Sequence, residues 1–412
     1  MVKDVALTGM GIVSPLGSDI QTFWDNLIHG KSGIGHVQEL AELPVTFGGK
    51  AQGFEPERYL GGKELRHMDR YAQMELTACL DACGQARLTP ETYEPHRIGV
   101  LIGSGSGGMQ TIEDQMNVFF TKGPRRVSPV TVPMFITNIG PAECAKRLGA
   151  KGPGFSLSSA CATAGHALAM AARLIQAGDA DCMIAGGMEA CLTPFAISAF
   201  ASMRALSTRN DDPVRASRPF SADRDGFVMG EGGGVFVLER LDRARERGAD
   251  ILAVLKGVGM TVDAYHMVAP DPEGTMVVHA IRQALADARL EPSDIGYINA
   301  HGTSTPLNDK IETLAIRKAF GDHADRLLVS STKSMTGHLI GGAAGIETAI
   351  CVLAMRNGVV PPTINLDNPD PECDLNYVPE RAVRADVSHC LNNSFGFGGQ
   401  NVALILGKDA SS

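Results

Sequence analysis

Cys161 is the side chain of this sequence whose surroundings best suit covalent chemistry. It stands in Leu157–His166, where small residues allow a sharp turn between a strand-like stretch and a helical one. A thiol at a helix N-terminus faces the positive end of the helix dipole, which favours the thiolate and predicts a lowered pKa. Backbone N–H groups at such a turn can also hold an oxyanion. Taken alone, this stretch fits a buried structural thiol better than a nucleophile, because most free cysteines pack as small apolar residues.

Two histidines in polar, glycine-containing segments are the candidates to act with such a thiol. His301 follows a strand-like run in Asn299–Thr305, and His338 ends the segment Ser330–His338, which also carries Lys333. No third ligand with the spacing of a metal site accompanies them, so we expect no metal. Peptide hydrolysis would require one histidine oriented by Asn or Asp, whereas two neutral imidazoles can hold a developing enolate oxygen. The pair favours carbanion chemistry, with hydrogen-bonded structural histidines as the alternative.

A glycine-rich segment, Asn393–Asn401, lies shortly before the C-terminus. It lacks the GxxxxGK[ST] pattern of a phosphate-binding loop, and no GxGxxG follows a strand with an acidic residue about twenty positions later. Its two phenylalanines among glycines indicate either a mobile aromatic gate beside a site or a flexible turn with two buried rings.

The elements that would position these residues form an alternating pattern. Short apolar runs alternate with longer helical patterns, which predicts α/β architecture. The predicted strands are Val5–Thr8, Ile98–Ile102, Cys182–Ala185, Val235–Leu238, Tyr297–Asn299, Leu328–Ser330 and Val402–Leu406. The predicted helices are Met74–Ala86, Ala164–Ala177, Met276–Arg289, Asp309–Phe320 and Gly345–Arg356.

Two internal similarities indicate that the chain consists of two related halves. The run Val5–Gly11 resembles Ala253–Gly259, and Ser158–His166 resembles Ser330–His338, so the histidines that end the second pair would be equivalent. Each half also has an Ile-Gly pair beside a strand, and the similarities fall in the same order. We therefore predict two related α/β domains. Their predicted ranges are 1–250 and 251–412.

Composition limits the classes of function. The 412 residues include 46 acidic and 37 basic side chains, and the net charge of −9 argues against a general binder of nucleic acid or anionic membranes. No apolar run is long enough to cross a bilayer, and the N-terminus lacks a signal-peptide pattern. Nine cysteines without disulfide-framework spacing fit a reduced compartment. We expect a cytoplasmic protein, with no metal at Cys79 and Cys83, which lack a matching ligand pair nearby.

Six segments together form a specific pattern. They are Ser159–Ala162, Asp223–Glu231, Asn299–Thr305, Lys333–His338, Pro361–Asn365 and Asn393–Gly399. They resemble the motifs of the elongating β-ketoacyl-[acyl-carrier-protein] synthases, most closely the type II enzymes of fatty-acid synthesis, and they span nearly the whole chain in the family's order. The resemblance implies a thiolase-like fold, in which two duplicated α/β halves form five layers, α-β-α-β-α, and it implies a homodimer.

The resemblance implies a condensation in two stages on Cys161. Cys161 would take an acyl group from acyl carrier protein as a thioester, which splits a difficult reaction into two easier steps. His301 and His338 would support the decarboxylation of malonyl-[acyl-carrier protein] and hold the enolate oxygen. The new carbanion would attack the acyl group and give 3-oxoacyl-[acyl-carrier protein] and carbon dioxide. The N–H groups of Cys161 and Phe397 would form the oxyanion hole.

The resemblance also assigns supporting, substrate-binding and docking positions. Lys333 would set the electrostatics around His338, supported by Glu347. Phe397 would be the gating phenylalanine, with Phe395 beside it. The substrate-binding positions would be Thr303, Thr305, Ser106 and Phe200. The basic positions that dock the acidic carrier would be Lys63, Arg66, Arg204, Arg125 and Arg126.

Two positions depart from the family's pattern. Ser106 stands where a type II enzyme can have a bulky aliphatic residue, so the acyl pocket would be deeper here. His67 replaces a residue that is often lysine, which would weaken carrier docking. The resemblance implies no resident cofactor, because the 4′-phosphopantetheine is carried by the partner protein, and it implies no metal.

Relatives with the same fold and different chemistry are the alternatives. Initiating synthases and chalcone-forming enzymes use Cys-His-Asn, which His338 disfavours. Thiolases use a second cysteine in a Cys-x-Gly motif, which Phe395–Gly399 lacks, and non-catalytic chain-length subunits lack the nucleophile. A catalytic ketosynthase of a polyketide or other specialised acyl-carrier pathway stays open, because its motifs are nearly the same. A protein that binds acyl-carrier protein without turnover is a further class, which the complete Cys-His-His set disfavours.

Overall fold

The computed structural model describes residues 4–409, in which strands and helices alternate along the chain. The strands are β1 Val5–Val13, β2 Ile34–His36, β3 Phe47–Gly49, β4 Ile98–Gly103, β5 Gly154–Phe155, β6 Cys182–Glu189, β7 Gly232–Arg240, β8 Ala253–Val262, β9 Tyr297–Asn299, β10 Leu328–Ser330, β11 Val359–Val360, β12 Val383–Arg384, β13 His389–Gly396 and β14 Gln400–Gly407. The helices are α1 Ile20–Ile28, α2 Gly62–His67, α3 Arg70–Ala86, α4 Met109–Lys122, α5 Thr131–Phe135, α6 Ile139–Leu148, α7 Thr163–Ala177, α8 Pro194–Ser202, α9 Leu241–Glu246, α10 Thr275–Ala288, α11 Asn308–Phe320, α12 Lys333–Thr336 and α13 Ala343–Asn357. Each strand and helix predicted from the apolar pattern is present. Across residues 4–409, no helix combines the length and the hydropathy that crossing a membrane requires.

Ten of the strands form one mixed sheet made of two matching sets of five. Its order is β10-β9-β13-β14-β8-β1-β7-β6-β4-β5. In the first set, β7 is antiparallel to β1 and β6, and β4 is parallel to β6 and β5. In the second set, β14 is antiparallel to β8 and β13, and β9 is parallel to β13 and β10. Pairing of β1 with β8 joins the two sets. The recurring order and directions show two duplicated halves, while the predicted boundary between 1–250 and 251–412 stays a prediction.

The helices form three layers around these two sets of strands. Helix α7 packs on β4 and β6 and also contacts β14, and α13 packs on both β7 and β13, so these two helices lie in the centre. Helices α3 and α6 cover the outer side of the first set, and α10 and α11 cover that of the second. Residues Ala343–Met355 of α13 are all buried, as a helix packed between the two sets of strands requires. The architecture is thiolase-like, with the expected order α-β-α-β-α.

The first internal similarity reflects close packing of a helix on a strand in each half. In β1, a Cβ atom added to Gly11 would lie 2.0 Å from the carbonyl oxygen of Ala78 in α3. In β8, a Cβ atom added to Gly259 would lie 1.8 Å from the carbonyl oxygen of Ala280 in α10. Only glycine allows backbones to approach this closely. The shared Gly-x-Gly spacing therefore marks the same packing contact in both halves.

The second internal similarity is wrong as a structural equivalence. Helices α7 and α13 each follow one short 3₁₀ turn, Ala160–Ala162 in the first half and Ile340–Gly342 in the second. Each turn begins with a residue of positive φ, 50° and 45° respectively. Cys161 is thus equivalent to Gly341. His166 lies inside α7, whereas the histidine matched with it precedes its turn, because the sequence match rested on small residues that suit any tight turn.

Strand β13 is a regular element that the apolar pattern did not predict. Its central residues include buried amides where apolar side chains would be expected. The Asn392 side chain donates hydrogen bonds of 3.0 Å to the carbonyl oxygen of Ala344 and to the hydroxyl of Thr348, both in α13. Hydrogen bonds to the central helix replace apolar contact here, so alternation of hydropathy is lost.

We predict that Gly11→Ala lowers the free energy of unfolding by about 3 kcal/mol, because the added methyl group forces β1 away from α3. Gly259→Ala should have the same effect through α10. Urea denaturation followed by circular dichroism measures both. Gly35→Ala in β2 is the matched control, since an added Cβ atom there meets nothing within 4 Å. Equal stability of Gly11→Ala and Gly35→Ala would contradict the close-packing explanation.

Candidate active site

Cys161 lies at the start of the central helix α7, within the turn Ala160–Ala162. The turn is held by the Thr163 hydroxyl, which donates a 2.7 Å hydrogen bond to the carbonyl oxygen of Ala160. The positive φ of Ala160 costs a non-glycine residue about 1–3 kcal/mol, and such strain clusters at functional sites. A Cβ atom added to Gly396 would lie 3.3 Å from the Cys161 nitrogen, so the end of β13 passes directly over the turn.

The resting form of Cys161 is the thiol. Burial raises its pKa to about 12, although the Lys333 cation and the backbone N–H groups of Phe397 and Cys161 act in the opposite direction. The expectation of a lowered pKa is therefore wrong, because desolvation outweighs the Lys333 cation and the two N–H groups. His338 Nε2 lies 3.0 Å from the Cys161 sulfur, within reach to accept the thiol proton.

His338 is held by the segment that follows Phe227. The His338 N–H donates a 2.7 Å hydrogen bond to the carbonyl oxygen of Val228, and its carbonyl oxygen accepts one of 2.9 Å from the Gly230 N–H. The ring of Phe227 meets the imidazole edge-on, with centroids 5.4 Å apart. This contact explains why Asp223–Glu231 belongs to the pattern of motifs: it fixes the backbone and the ring plane of His338.

His301 is held by a buried carboxylate, Glu312, that the sequence analysis missed. His301 follows β9, and its N–H donates a 2.8 Å hydrogen bond to Glu312 Oε1, while the Gly302 N–H donates one of 2.8 Å to Oε2. Burial raises the pKa of Glu312 to about 7, although these two N–H groups act in the opposite direction. An available signal was an acidic pair, Asp309 and Glu312, on the buried side of α11.

Both imidazoles are neutral at physiological pH. Burial lowers the pKa of His301 and of His338 well below the usual range, and the nearby Lys333 cation adds to the effect. The two ring centroids are 5.4 Å apart with the planes nearly perpendicular. A neutral imidazole can donate one N–H to a developing enolate oxygen without placing a second positive charge beside Lys333.

Lys333 and Glu347 form an ion pair in the interior, and each side chain is only 2% exposed. Burial raises the pKa of Glu347 to about 7, and Lys333 acts to lower it. The pair links α12, which ends just before His338, with the central helix α13. Removing one partner of a buried pair leaves an uncompensated charge, at a cost of about 3–5 kcal/mol.

The glycine-rich segment Phe395–Gly399 closes over the site. The Phe395 ring contacts His301 with centroids 5.4 Å apart, and the Phe397 ring lies 6.3 Å from that of Phe200. Both phenylalanines are half-buried. The segment thus lies beside the site, as predicted, and its movement as a gate stays a prediction.

The loop after His301 carries the two threonines predicted to bind substrate. Their hydroxyl oxygens, Thr303 Oγ1 and Thr305 Oγ1, are 2.9 Å apart. Arg224, which the sequence analysis left without a role, donates hydrogen bonds of 3.0 Å and 2.9 Å to the carbonyl oxygens of Thr305 and Pro306. It also pairs with Asp370 at 2.8 Å. Arg224 therefore holds the loop through its backbone carbonyl oxygens. In the sequence, only its position within the segment Asp223–Glu231 indicated a role.

The remaining predicted residues lie around this centre. Phe200 packs in an apolar cluster with Cys191 and Ile340, and the Ser106 hydroxyl lies 2.7 Å from the Cys191 sulfur. The deeper pocket predicted from Ser106 stays a prediction.

The five predicted docking cations are all exposed, and none forms an ion pair with any residue of the described range 4–409. They are Lys63, Arg66, Arg125, Arg126 and Arg204. The neighbouring His67 is also exposed.

Cys161, His301 and His338 could also form a metal site by proximity alone. One donor atom from each lies within 4.8 Å of the others. Spacing along the chain missed Cys161 as the third ligand, because the fold collects it from a distant segment. Within residues 4–409, however, Nδ1 of each histidine is buried without a hydrogen-bond acceptor. Metal-binding imidazoles almost always donate their second ring nitrogen to such an acceptor, so the site does not fit that role well.

Further buried oxygen atoms near the site have no hydrogen-bond partner within residues 4–409. Five side-chain oxygen atoms around β9, β13 and α13 are buried and receive no hydrogen bond from any group of residues 4–409. They are Asn299 Oδ1, Glu347 Oε2, Asn392 Oδ1, Asn393 Oδ1 and Ser394 Oγ. Asn299 and Asn392 face each other across neighbouring strands.

The fold and the site define a thiolase-like condensing enzyme, with a buried cysteine between two neutral histidines. Two family models match the chain. The model of "Beta-ketoacyl synthase, N-terminal domain" matches residues 2–244, and the model of "Beta-ketoacyl synthase, C-terminal domain" matches residues 252–367. The chain belongs to the β-ketoacyl synthase family.

Relatives and solved structures agree over the whole length. The chain is 48% identical to 3-oxoacyl-[acyl-carrier-protein] synthase 2 of Synechocystis over 408 residues, which cover 98% of each protein. It is 47% identical to the synthase of the same name from Staphylococcus aureus, again over 98% of each. A ketosynthase solved with the acyl-carrier protein of a type II polyketide system superposes with a TM-score of 0.93 at 33% identity, covering 99% of this chain and 100% of that one.

We predict that iodoacetamide alkylates Cys161 about tenfold faster for each added pH unit between about pH 7 and pH 9, without a plateau. The reason is the thiol pKa of about 12, which leaves only a small thiolate fraction that grows with pH. Mass spectrometry of the Cys161 peptide measures the rate, with Cys161→Ala as the control for the assignment. A plateau below pH 9 would show a stabilised thiolate and contradict this explanation.

Proposed function

We propose that this chain catalyses the elongating condensation of fatty-acid biosynthesis, in which acyl-[acyl-carrier protein] and malonyl-[acyl-carrier protein] give 3-oxoacyl-[acyl-carrier protein] and carbon dioxide. The observation that carries the proposal is the 3.0 Å contact between the Cys161 sulfur and His338 Nε2, with His301 beside them. The full-length relatives named 3-oxoacyl-[acyl-carrier-protein] synthase 2 support the same reaction.

The first stage is acyl transfer to Cys161. The sulfur attacks the thioester carbonyl of the acyl carrier as His338 accepts the thiol proton. The bond between the carbonyl carbon and the pantetheine sulfur breaks, and the proton passes to the released thiol. The N–H groups of Cys161 and Phe397 face the sulfur and are available for the oxyanion that forms beside it.

The second stage makes the carbon nucleophile. The malonyl carboxylate leaves as carbon dioxide, and the electron pair of the broken C–C bond becomes an enolate whose oxygen His301 and His338 hold through N–H groups. For this stage the single proton of neutral His338 is on Nε2, whereas in the first stage it is on Nδ1. The enolate carbon attacks the acyl–Cys161 carbonyl, a carbon–carbon bond forms, and the bond to the Cys161 sulfur breaks. The released thiolate takes up one proton. Glu347 holds the Lys333 cation close to this centre. Because the surroundings contain little water, the attraction between this cation and the enolate is weakly screened.

Acyl carrier protein is the partner that this reaction requires, and a similar ketosynthase has been solved in complex with one. We place the docking surface at the five exposed cations defined above, because exposed positive charge without an internal partner attracts an acidic protein. Thr303 and Thr305 would hold the pantetheine arm at the entrance. The reaction requires no resident cofactor.

The free edge of the sheet supports a homodimer. Strand β5 ends the ten-stranded order, and both of its residues are exposed. Exposed apolar side chains also lie on α4, among them Met116, Phe119 and Phe120. An unpaired edge strand and exposed apolar residues are features that a second copy can cover.

All nine cysteines are free and buried, which supports a location in the reducing cytoplasm.

A specialised acyl-carrier pathway is the second candidate function. The TM-score of 0.93 to a polyketide ketosynthase favours it, since the backbone would serve either pathway. The higher identity to the fatty-acid synthases, 48% against 33%, places fatty-acid elongation first.

We predict that incubation with acyl-[acyl-carrier protein] adds one acyl group to Cys161, because this thiol alone has an imidazole and two N–H groups in position. Intact-protein and peptide mass spectrometry detect the adduct. Cys161→Ala should remain unmodified, and Cys144→Ala, which removes a buried thiol in α6 and keeps Cys161, is the control. Absence of an adduct at every acyl length would remove the proposed function.

We predict that Cys161→Gln still decarboxylates malonyl-[acyl-carrier protein], because enolate formation depends on His301 and His338 and not on the sulfur. His338→Ala in the Cys161→Gln background should lower this rate by about 100-fold. Release of labelled carbon dioxide measures it, and His166→Ala, which changes a histidine inside α7, is the control. Unchanged decarboxylation in the His338 variant would contradict its role.

A further inference from the structure

Glu189 is a fully buried carboxylate to which the proposed reaction gives no role. It ends β6 and has no cationic partner within 4.0 Å among residues 4–409. Instead it accepts hydrogen bonds from three segments: the turn after β4, Cys191, and the turn before α13. The donors to Oε1 are Ser104 Oγ (3.0 Å), Ser106 N (3.2 Å), Ser106 Oγ (2.5 Å) and Cys191 Sγ (3.3 Å). The donors to Oε2 are Gly105 N (2.8 Å) and Gly341 N (3.1 Å).

These donors come from the two halves of the molecule. The turn that contains Ser106 follows β4 in the first half, whereas Gly341 lies in the turn before α13 in the second. Cβ atoms added to Gly105 and Gly341 would lie 2.7 Å and 2.6 Å from Glu189 Oε2. The two backbones therefore close on the carboxylate with no spare room, and Glu189 sets the distance between them.

The turn that contains Gly341 and the turn that contains Ser106 both contact the apolar cluster around Phe200. Ile340, whose φ is 45°, packs in one apolar cluster with Phe200, and the Phe200 ring lies 6.3 Å from that of Phe397. Ser106 adjoins this cluster through its contact with Cys191. An acyl chain on Cys161 that extends past Phe200 would therefore meet Ile340 and then Ser106.

The hydroxyl of Ser106 lies 2.5 Å from the carboxylate of Glu189 and 2.7 Å from the Cys191 sulfur. Because the Ser106 hydroxyl donates a hydrogen bond to Glu189, it already has a partner. An apolar chain can therefore lie against the serine without leaving a buried hydroxyl unpaired. A buried hydroxyl without a partner would lower the rate or the affinity about 5- to 150-fold.

We propose that Glu189 is a positioning residue that sets the acyl-chain length accepted by Cys161, by holding Ser106 and the Ile340 turn in place. The proposal rests on the proposed condensation. Long unbranched acyl chains are the substrate class that depends on Glu189, because only they reach Ser106. Short chains end before it and do not depend on Glu189 in the same way.

The test compares kcat/KM for condensation with short and with long acyl-[acyl-carrier protein], about six and about sixteen carbons. In Glu189→Gln one amide oxygen replaces two acceptor oxygens, so one of the two donor groups loses its acceptor. We expect the long-to-short ratio to fall about tenfold. Glu75→Gln is the matched control, because Glu75 is also a fully buried carboxyl but lies in α3 and contacts none of these donors.

Rescue separates this role from a general loss of structure. In Glu189→Gln with Ser106→Ala, the Ser106 hydroxyl can no longer be left without an acceptor beside the acyl chain, so the ratio should return to within about threefold of that of Ser106→Ala alone. Failure of this rescue would overturn the proposal. So would an equal fall of Glu189→Gln at both chain lengths and in malonyl decarboxylation.

Two further outcomes are distinguishable. If Glu189→Gln does not fold, Glu189→Asp carries the same comparison and rescue, because its shorter carboxylate cannot reach both donor groups. A wild-type protein that forms no acyl–Cys161 would overturn the proposed function and this inference together. An active wild type with an unchanged ratio in the variants would overturn the inference alone.

Discussion

The site depends on the close contact of the first turns of α7 and α13 with glycines in β6 and β7. A Cβ atom added to Gly187 in β6 would lie 2.7 Å from the carbonyl oxygen of Gly341, and one added to Gly234 in β7 would lie 2.8 Å from the backbone of Gly345. Because nothing larger than hydrogen fits, α7 and α13 begin directly over the same two strands. Cys161 and His338 reach each other from segments 177 residues apart for this reason. These glycines of β6 and β7 are therefore part of the active site, although they offer no reactive side chain.

Burial then determines the protonation states in this site. Desolvation keeps the Cys161 proton on sulfur and keeps both imidazoles neutral, so the positive charge at the centre is that of Lys333. Desolvation also raises the pKa of Glu347 and Glu312 to about 7. Neutral donors beside one fixed cation suit an anion that appears only during the reaction, because they do not bind the resting substrate strongly. A sequence shows residue types, whereas these states follow from how much water each residue loses.

The sequence therefore predicted residue types and order better than it predicted contacts. Cys161 by itself fitted a structural thiol, and its role emerged only with His301 and His338 in the family's order. Glu312 and Arg224 were missed because they act on backbone groups, and backbone groups are the same in every sequence. The match of His166 with His338 failed for a related reason, since small residues around a turn recur wherever chains turn tightly.

The two halves show how a duplicated turn can acquire two different tasks. Both central helices start after a 3₁₀ turn whose first residue has a positive φ, so the backbone presents its second residue in the same way in each half. In the first half that residue is Cys161, whose side chain holds the acyl group in the proposed reaction. In the second it is Gly341, whose N–H binds Glu189 and whose missing side chain leaves room for that carboxylate. A side chain at position 341 would collide with Gly105 and Glu189 and push the halves apart. In the proposed reaction this is where they would enclose the acyl chain, so the glycine serves that geometry as the cysteine serves the chemistry.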